Sequence, residues 1–279
     1  MNDPTLANGM VSIVIPCYNQ GLMLLETLAS IEQVRSETIA EVIIVNDGSN
    51  EPATCQVFQN LDTNKYRVLH QPNQGLGRAR NAGIELASGE FILPLDSDNL
   101  IRGAYFDQGV ALLLQNPHVG VVYGDAEYFG EKTGRWRVPE FDWRPLVQRN
   151  YIDACALYRK CAWESVGGYD EKMPVMGFED WDFWMRLGLR GWKFAHIDEI
   201  AFDYRARQGS MLSDAHRHFA ELVAYIFEKP QFTILKAMRE QGLELDEILG
   251  RYYSRDYNVG SLIVAPLRAI KRMLFSSPG

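Results

Sequence analysis

The stretch "PLDSDN", residues 94–99, places two carboxylates, Asp96 and Asp98, one residue apart where the apolar run "GEFIL" ends. At a strand terminus the chain turns, so both can reach one point. Leaving such a pair close together and unpaired costs on the order of several kcal/mol, so it calls for a cation. A hard divalent ion such as Mg²⁺ or Mn²⁺, held by one or two carboxylates and completed by ligand phosphates, meets that need. A solvated Asx turn closed by Asn99 is the bland alternative. The sequence argues against an EF-hand loop, because Leu100 and Ile101 stand where its remaining ligands and glycine belong.

A second acidic pair, Glu179 and Asp180, opens the segment "EDWDFWMRL", whose Phe183 and Leu187 recur at helical spacing. Carboxylates at a helix start are favoured by the dipole and the free N–H groups, and one within reach of a hydroxyl can also serve as a general base. The segment "NQGLGRARNAG" offers Gly75 and Gly77, but the third glycine of a dinucleotide fingerprint is replaced by Arg80 and no long apolar strand directly precedes it. It reads instead as a glycine-rich entry into a helix bearing Arg78 and Arg80. These cations either face a phosphate or base or lie on an exposed basic face; Arg80, flanked by small residues, is the better placed for close packing.

The elements that must position these groups alternate. "MVSIVIPCYN", "AEVIIVNDGSN", the shorter "YRVLHQPNQG" and "EFILPLDSDN" read as buried strands, with helical spacing of Leu22, Leu25, Leu28 and Ile31 after the first and a helix over 76–88 before the last. Such alternation predicts βαβ units and a mostly parallel central sheet with helices on both faces. Ligands of such sheets sit beyond the carboxyl ends of the strands. Three of those ends are polar: Tyr18 and Asn19, Asn46 and Asp47, Asp96 and Asp98. If the strands are parallel neighbours, these groups line one cleft. A helix over about 103–115, a strand "VGVVYGD" and a strand then helix in "DACALYRKCAWESVGGYD" follow. Trp181 and Trp184 are either core or a platform for a sugar ring, and His196 in "WKFAHI" reads as a packed strand residue. After Asp214 the pattern becomes helical, with Phe219, Leu222, Val223, Ile226 and Phe227 on one face, so residues 215–279 read as a helical appendage.

Composition bounds the rest. The 279 residues are 47% hydrophobic, enough for a sizeable core, and the net charge of -8 argues against general affinity for nucleic acid, so an anionic ligand must be met by locally placed cations or a metal. Four cysteines without a CxxC spacing and a start, "MNDPTLANGM", without signal-peptide regions point to a cytoplasmic protein. The apolar stretch Val259 to Leu267 is interrupted and far short of the roughly 20 residues of a spanning helix. Five basic residues, Arg251, Arg255, Arg268, Lys271 and Arg272, stand against Asp256 in the tail, with Ile263, Leu267, Ile270 and Leu274 near one helical face. The tail therefore either packs on the rest of the chain or makes a peripheral membrane contact.

"VSIVIPCYN", "VIIVNDGS", "NQGLGRARNAGIELASGEFILPLDSDN" and "GGYDEKMPVMGFEDWDFWMRL" occur in the order seen in family 2 glycosyltransferases, and the chain resembles these inverting GT-A enzymes over residues 10 to about 205. The resemblance implies a GT-A catalytic domain over 1–214, with a nucleotide-binding half at about 10–100 and an acceptor half at about 101–214. It implies transfer of a sugar from a nucleotide-diphosphate donor, expected to be UDP-linked, to a saccharide or lipid-linked saccharide hydroxyl. Pro16, Tyr18, Asn19 and Asp47 match the positions around the nucleotide base, with Tyr18 stacking on a uracil and Asp47 accepting its imide N–H. Arg80 matches the arginine beside the nucleotide. Asp96 and Asp98 match the DxD motif, Asp98 as principal ligand of Mn²⁺ or Mg²⁺ and Asp96 nearer the ribose or sugar. Glu179 and Asp180 match the "ED" motif, with Asp180 as catalytic base. One position departs: in "DYRARQGSMLS", Arg207 stands where members often carry a metal-approaching histidine. An arginine cannot ligate a cation, so either the metal has fewer protein ligands, with His216 or His218 as substitutes, or Arg207 contacts phosphate directly. A nucleotidyltransferase and a catalytically silent sugar-nucleotide or glycan-binding module are the rival readings.

Overall fold

The structure, a computed structural model, describes residues 7–34, 36–207, 209 and 211–241. Four strands, β1 (Ala7–Cys17), β2 (Ile39–Asp47), β3 (Arg67–Gln71) and β4 (Gly89–Pro94), form a parallel half-sheet in the order β3-β2-β1-β4. Strand β1 lies in its middle, so both its faces are covered. Val11, Ile13 and Ile15 pack with Leu24, Leu28 and Ile31 of helix α1 (Gly21–Val34), while Val14 packs on the other face with Ala79 and Ile84 of α3 (Leu76–Leu86). That two-sided burial is why these strands read as unbroken apolar runs. Helix α3 comes so close to the sheet that a Cβ on Gly83 would stand 2.4 Å from a Val14 methyl, so only glycine fits there. Helix α2 (Pro52–Asn60) connects β2 to β3.

Beyond β4 the sheet becomes mixed. Its neighbour β8 (Leu157–Arg159) is antiparallel and pairs in turn with β6 (Val119–Gly130), which runs parallel to β9 (Lys193–Ala206). The two-residue β5 (Leu100–Ile101) closes the edge against Phe202 and Asp203 of β9, and β7 (Gly134–Trp136) folds back on β6. The segment 95–99 therefore leaves the parallel half and lands on the far edge of the other half, so Asp96 and Asp98 sit where the two halves meet. Helix α4 (Gly103–Gln115) falls where the sequence places it, and α5 (Trp143–Gln148), α6 (Lys160–Ser165) and α7 (Glu179–Leu189) complete the layers. Trp181 and Trp184 are fully buried and donate their indole N–H groups to Leu146 O and Ile152 O, so they are core and not sugar platforms.

Helices α8 (Met211–Arg217), α9 (Phe219–Phe227) and α10 (Thr233–Gln241) begin the appendage. Leu222, Ile226, Phe232 and Leu235 join the same core cluster as Trp181 and Leu187. Lys229 bridges Asp170 and Asp182, and Arg239 donates to Val147 O and Gln148 O. These helices are thus packed on the sheet-bearing part. The basic tail from Arg251 lies outside the described residues. No helix among the described residues is long and apolar enough to cross a membrane.

Candidate active site

A cavity of about 1090 Å³ opens along the carboxyl ends of β1, β2 and β4 and extends beneath the segment 136–154 to the first turn of α7. The parallel register brings the three polar strand ends together, as their spacing implied. Tyr18 presents a half-exposed ring (45%) beside Pro16. Asp47 is buried and accepts three hydrogen bonds, from Gln71 Nε2 (2.7 Å), Gln74 N (2.9 Å) and Gly75 N (2.9 Å). It therefore shapes the loop leading into α3 and keeps at most one acceptor position for a base. Asn19 is a correction. It has a left-handed φ of 55° and turns its carboxamide to Asn50 and to the amides of Asn50 and Glu51, away from the cavity lining. Asn tolerates that conformation because its short polar side chain bonds locally, so its role is the turn.

Arg80 is 1% exposed and lies between two carboxylates, donating to Asp96 Oδ1 (2.6 Å) and Glu179 Oε1 (2.5 Å). Its Nε has no partner among the described residues. Arg78, two residues earlier, pairs at the surface with Glu171 and Gln74. Glu179 uses its second oxygen for Gly177 N (2.6 Å) and is 2% exposed. Both of its oxygens are therefore engaged, one by the Arg80 guanidinium and one by a backbone amide. Asp180 lines the cavity; Asn150 Nδ2 (2.8 Å) and Trp181 N (2.7 Å) donate to it. Burial first, then the charges of Glu179 and Asp153, push its carboxyl well above the usual range, which is the direction a general base near neutral pH requires.

Asp98 accepts from Arg207 Nε (3.1 Å) through Oδ2, and its carbonyl accepts from Arg205 Nε (2.9 Å). Burial and the neighbouring Asp96 raise its pKa against the opposing Arg207 bond. Arg207 thus meets the DxD pair itself. His216 lines the cavity, whereas His218 pairs with Glu221 outside it. Among the described residues no group of three His, Cys, Asp or Glu side chains converges on a metal position. What the donor set offers is Asp96 Oδ2 and Asp98 Oδ1, the oxygens left over from the Arg80 and Arg207 bonds. Two carboxylate oxygens facing a cavity fit Mg²⁺ or Mn²⁺, which take one or two protein carboxylates and fill their shell with phosphate and water.

Two groups escaped sequence reasoning. Asp153 lines the cavity and, among the described residues, accepts only from Cys155 N (2.9 Å); burial, reinforced by the charge of Asp96, pushes its carboxyl up to about 7. Arg205, one turn of strand before Arg207, anchors the Asp98 carbonyl and pairs with Glu26. Arg205 lies in the "DYRAR" segment that the sequence reading used only for Arg207, and Asp153 belongs to no spacing motif. A carboxylate just before the apolar run "ACALY" was the one available signal for Asp153.

The architecture is that of known GT-A glycosyltransferases. Staphylococcus aureus TarS 1–349, solved in complex with UDP-GlcNAc, superposes with a TM-score of 0.64 at 18% identity, covering 95% of this chain and 81% of that one. The mannosyltransferase PcManGT from Pyrobaculum calidifontis, solved with GDP-Man and Mn²⁺, gives a TM-score of 0.60 at 16% identity over 94% and 80%. Residues 12–173 match the family described as Glycosyl transferase family 2, and the chain belongs to that family. Among curated relatives, the putative glycosyltransferase EpsH of Bacillus subtilis (strain 168) is 42% identical over 252 residues, 90% of this chain and 65% of EpsH. The chondroitin synthase of Pasteurella multocida (strain Pm70) is 26% identical over 202 residues, 70% of this chain but only 20% of that enzyme. The chain thus spans less than two thirds of the length of these relatives.

Proposed function

We propose that this chain transfers a single sugar from a nucleoside diphosphate donor, UDP-linked, to a saccharide or lipid-linked saccharide hydroxyl, with inversion at the anomeric carbon. The observation that carries this reading is that Asp98 and Asp180, 82 positions apart in sequence, line one cavity. Tyr18 and Asp47 receive the base, and Asp96 and Asp98 hold the divalent ion. A metal bound there supplies charge neutralisation for the departing diphosphate. Arg207 and Arg205, at the end of β9, stand beside Asp98 and add positive charge on the same side. Asp180, at the start of α7, takes the acceptor hydroxyl proton as the oxygen attacks, and Asn150 holds its second oxygen in place. Holding both substrates in one cavity supplies much of the remaining acceleration.

The test is a thermal-shift panel of nucleotide sugars with and without Mn²⁺. A UDP-sugar is expected to raise the melting temperature of the wild type only with metal, and Asp98→Ala to abolish the rise. Indifference of the wild type to every donor sinks the reading. Release of pyrophosphate in place of UDP selects the nucleotidyltransferase, and donor binding without any product selects the silent module.

A further inference from the structure

Arg137 and Arg149 line the cavity and have no part in the chemistry described so far. Arg137 follows β7 and Arg149 follows α5, and both line the cavity with exposed side chains. The backbone that carries each is fixed. Trp136 stacks on Tyr128 (ring centroids 5.8 Å apart) and Val138 N donates to Asp125 Oδ1 (2.9 Å), which pins Arg137 from both sides. The amide of Arg149 donates to Pro145 O (3.0 Å), and the next residue, Asn150, bonds Asp180. Yet neither guanidinium makes a hydrogen bond or ion pair with any described residue. The other cavity arginines are committed: Arg80 to Asp96 and Glu179, Arg205 to Glu26, Arg207 to Asp98, and Arg217 also has an interaction of its own.

A chain of net charge -8 repels anions at long range, so an anionic ligand is held only where cations are placed locally and left unpaired. Two planar guanidinium forks on fixed backbone are suited to phosphate or carboxylate oxygens. Their position selects the substrate. The donor diphosphate is already faced by Arg205 and Arg207 beside Asp98, whereas Arg149 adjoins Asn150 and through it the proposed base.

We propose that Arg137 and Arg149 form an anion subsite on the acceptor side of Asp180, so that the acceptor carries a phosphate or carboxylate near the hydroxyl that receives the sugar. The inference rests on the transferase reading for the meaning of "acceptor", and the experiment separates the two. The chain is saturated with UDP and Mn²⁺ to fill the donor side. Octyl β-glucoside, octyl β-glucoside 6-phosphate and octyl β-glucuronide are then titrated against it by calorimetry, all below their micelle concentrations. At least one anionic glycoside is expected to bind ten-fold or more tightly than the neutral one. The phosphate and glucuronide arms tell which anion is preferred, and the preference should shrink as salt is raised. The double variant Arg137→Ala, Arg149→Ala should lose it, with its fold checked by melting temperature and circular dichroism. Equal binding of charged and neutral glycosides, or a preference that survives in the double variant, overturns the proposal. A wild type that ignores UDP defeats the transferase reading, and the glycoside comparison then still decides whether the arginine pair binds anions.

Discussion

The two walls of the cavity treat charge in opposite ways. On the wall made by the strand ends, each charge has a protein partner: Asp47 three donors, Asp96 the Arg80 that it shares with Glu179 of α7, Asp98 Arg207. On the rest of the lining, the second wall, and among the described residues, Arg137 and Arg149 have none, Asp153 has one backbone N–H, and Asp180 has Asn150 and a neighbouring amide. The first wall is pre-assembled by the sheet, and a ligand must displace or extend its ion pairs. The second keeps exposed guanidinium groups and desolvated carboxyls with few protein partners, which leaves groups free to act. Burial pushes both carboxyls upward, with the charge of Asp96 adding to it at Asp153 and those of Glu179 and Asp153 at Asp180.

The largest expected effect is chemical and falls on the second wall. Asp180→Asn should lower UDP release in the presence of acceptor by about 10²–10⁴-fold, the usual worth of a general base, while the thermal shift on donor binding persists. Turnover within ten-fold of wild type would leave Asp180 no more than another polar wall group. On the first wall the large effect is structural. Arg80→Met strands the buried Glu179, and breaking such a pair from one side costs about 3–5 kcal/mol; urea unfolding should show it, and Arg80→Met with Glu179→Gln should recover part. A loss below ~1 kcal/mol would mean that the pre-assembled wall does not depend on this ion triad.

Asp153 sharpens the contrast through pH. Its carboxyl titrates in the folded chain at about 7 against an ordinary value of 3.8, so the fold binds its proton more tightly than the unfolded chain does. That contribution to stability is fully present below about pH 4 and is lost as pH rises through 7. Asp153→Asn should therefore raise the melting temperature by several degrees at pH 8 and much less at pH 5. An equal change at both values would show that its charge is not what destabilises this wall.

The same contrast decides what the sequence could reveal. The first wall was legible because strands buried on both faces write continuous apolar runs, and the point where each run turns polar marks the cavity edge: Tyr18, Asp47, Asp96. Helical spacing places Arg80 with Gly77 and Ile84 on the buried stripe of α3 and leaves Arg78 outside. Asn19 shared the strand-end signal yet serves a turn, since position alone does not say where a carboxamide points. The second wall was harder. Strand β9 is 14 residues long, but Asp198, Glu199 and Asp203 interrupt it and its pairing with β6 shifts register around Asp125, so only its start read as strand. Asp153, Arg137 and Arg149 lie on short connections where nothing periodic singles them out.

The smallest effect tests how the second wall is held. Helix α5 has six residues, and its N-cap Asp142 accepts from Arg144 N (2.9 Å). Buried Trp143, Leu146 and Val147 and the Arg239 bonds to Val147 O and Gln148 O secure its body, and its C-terminal end delivers Arg149 and Asn150 to the cavity. Losing the cap in Asp142→Ala should cost about 1 kcal/mol. Because packing and Arg239 still fix the far end, turnover should fall by no more than a few-fold. A drop beyond ten-fold at that small loss of stability would mean that the cap itself sets where Asn150 meets Asp180. The second wall would then be a hinge whose position the first turn of α5 controls, whereas the strand ends are held by the sheet register and by Arg80.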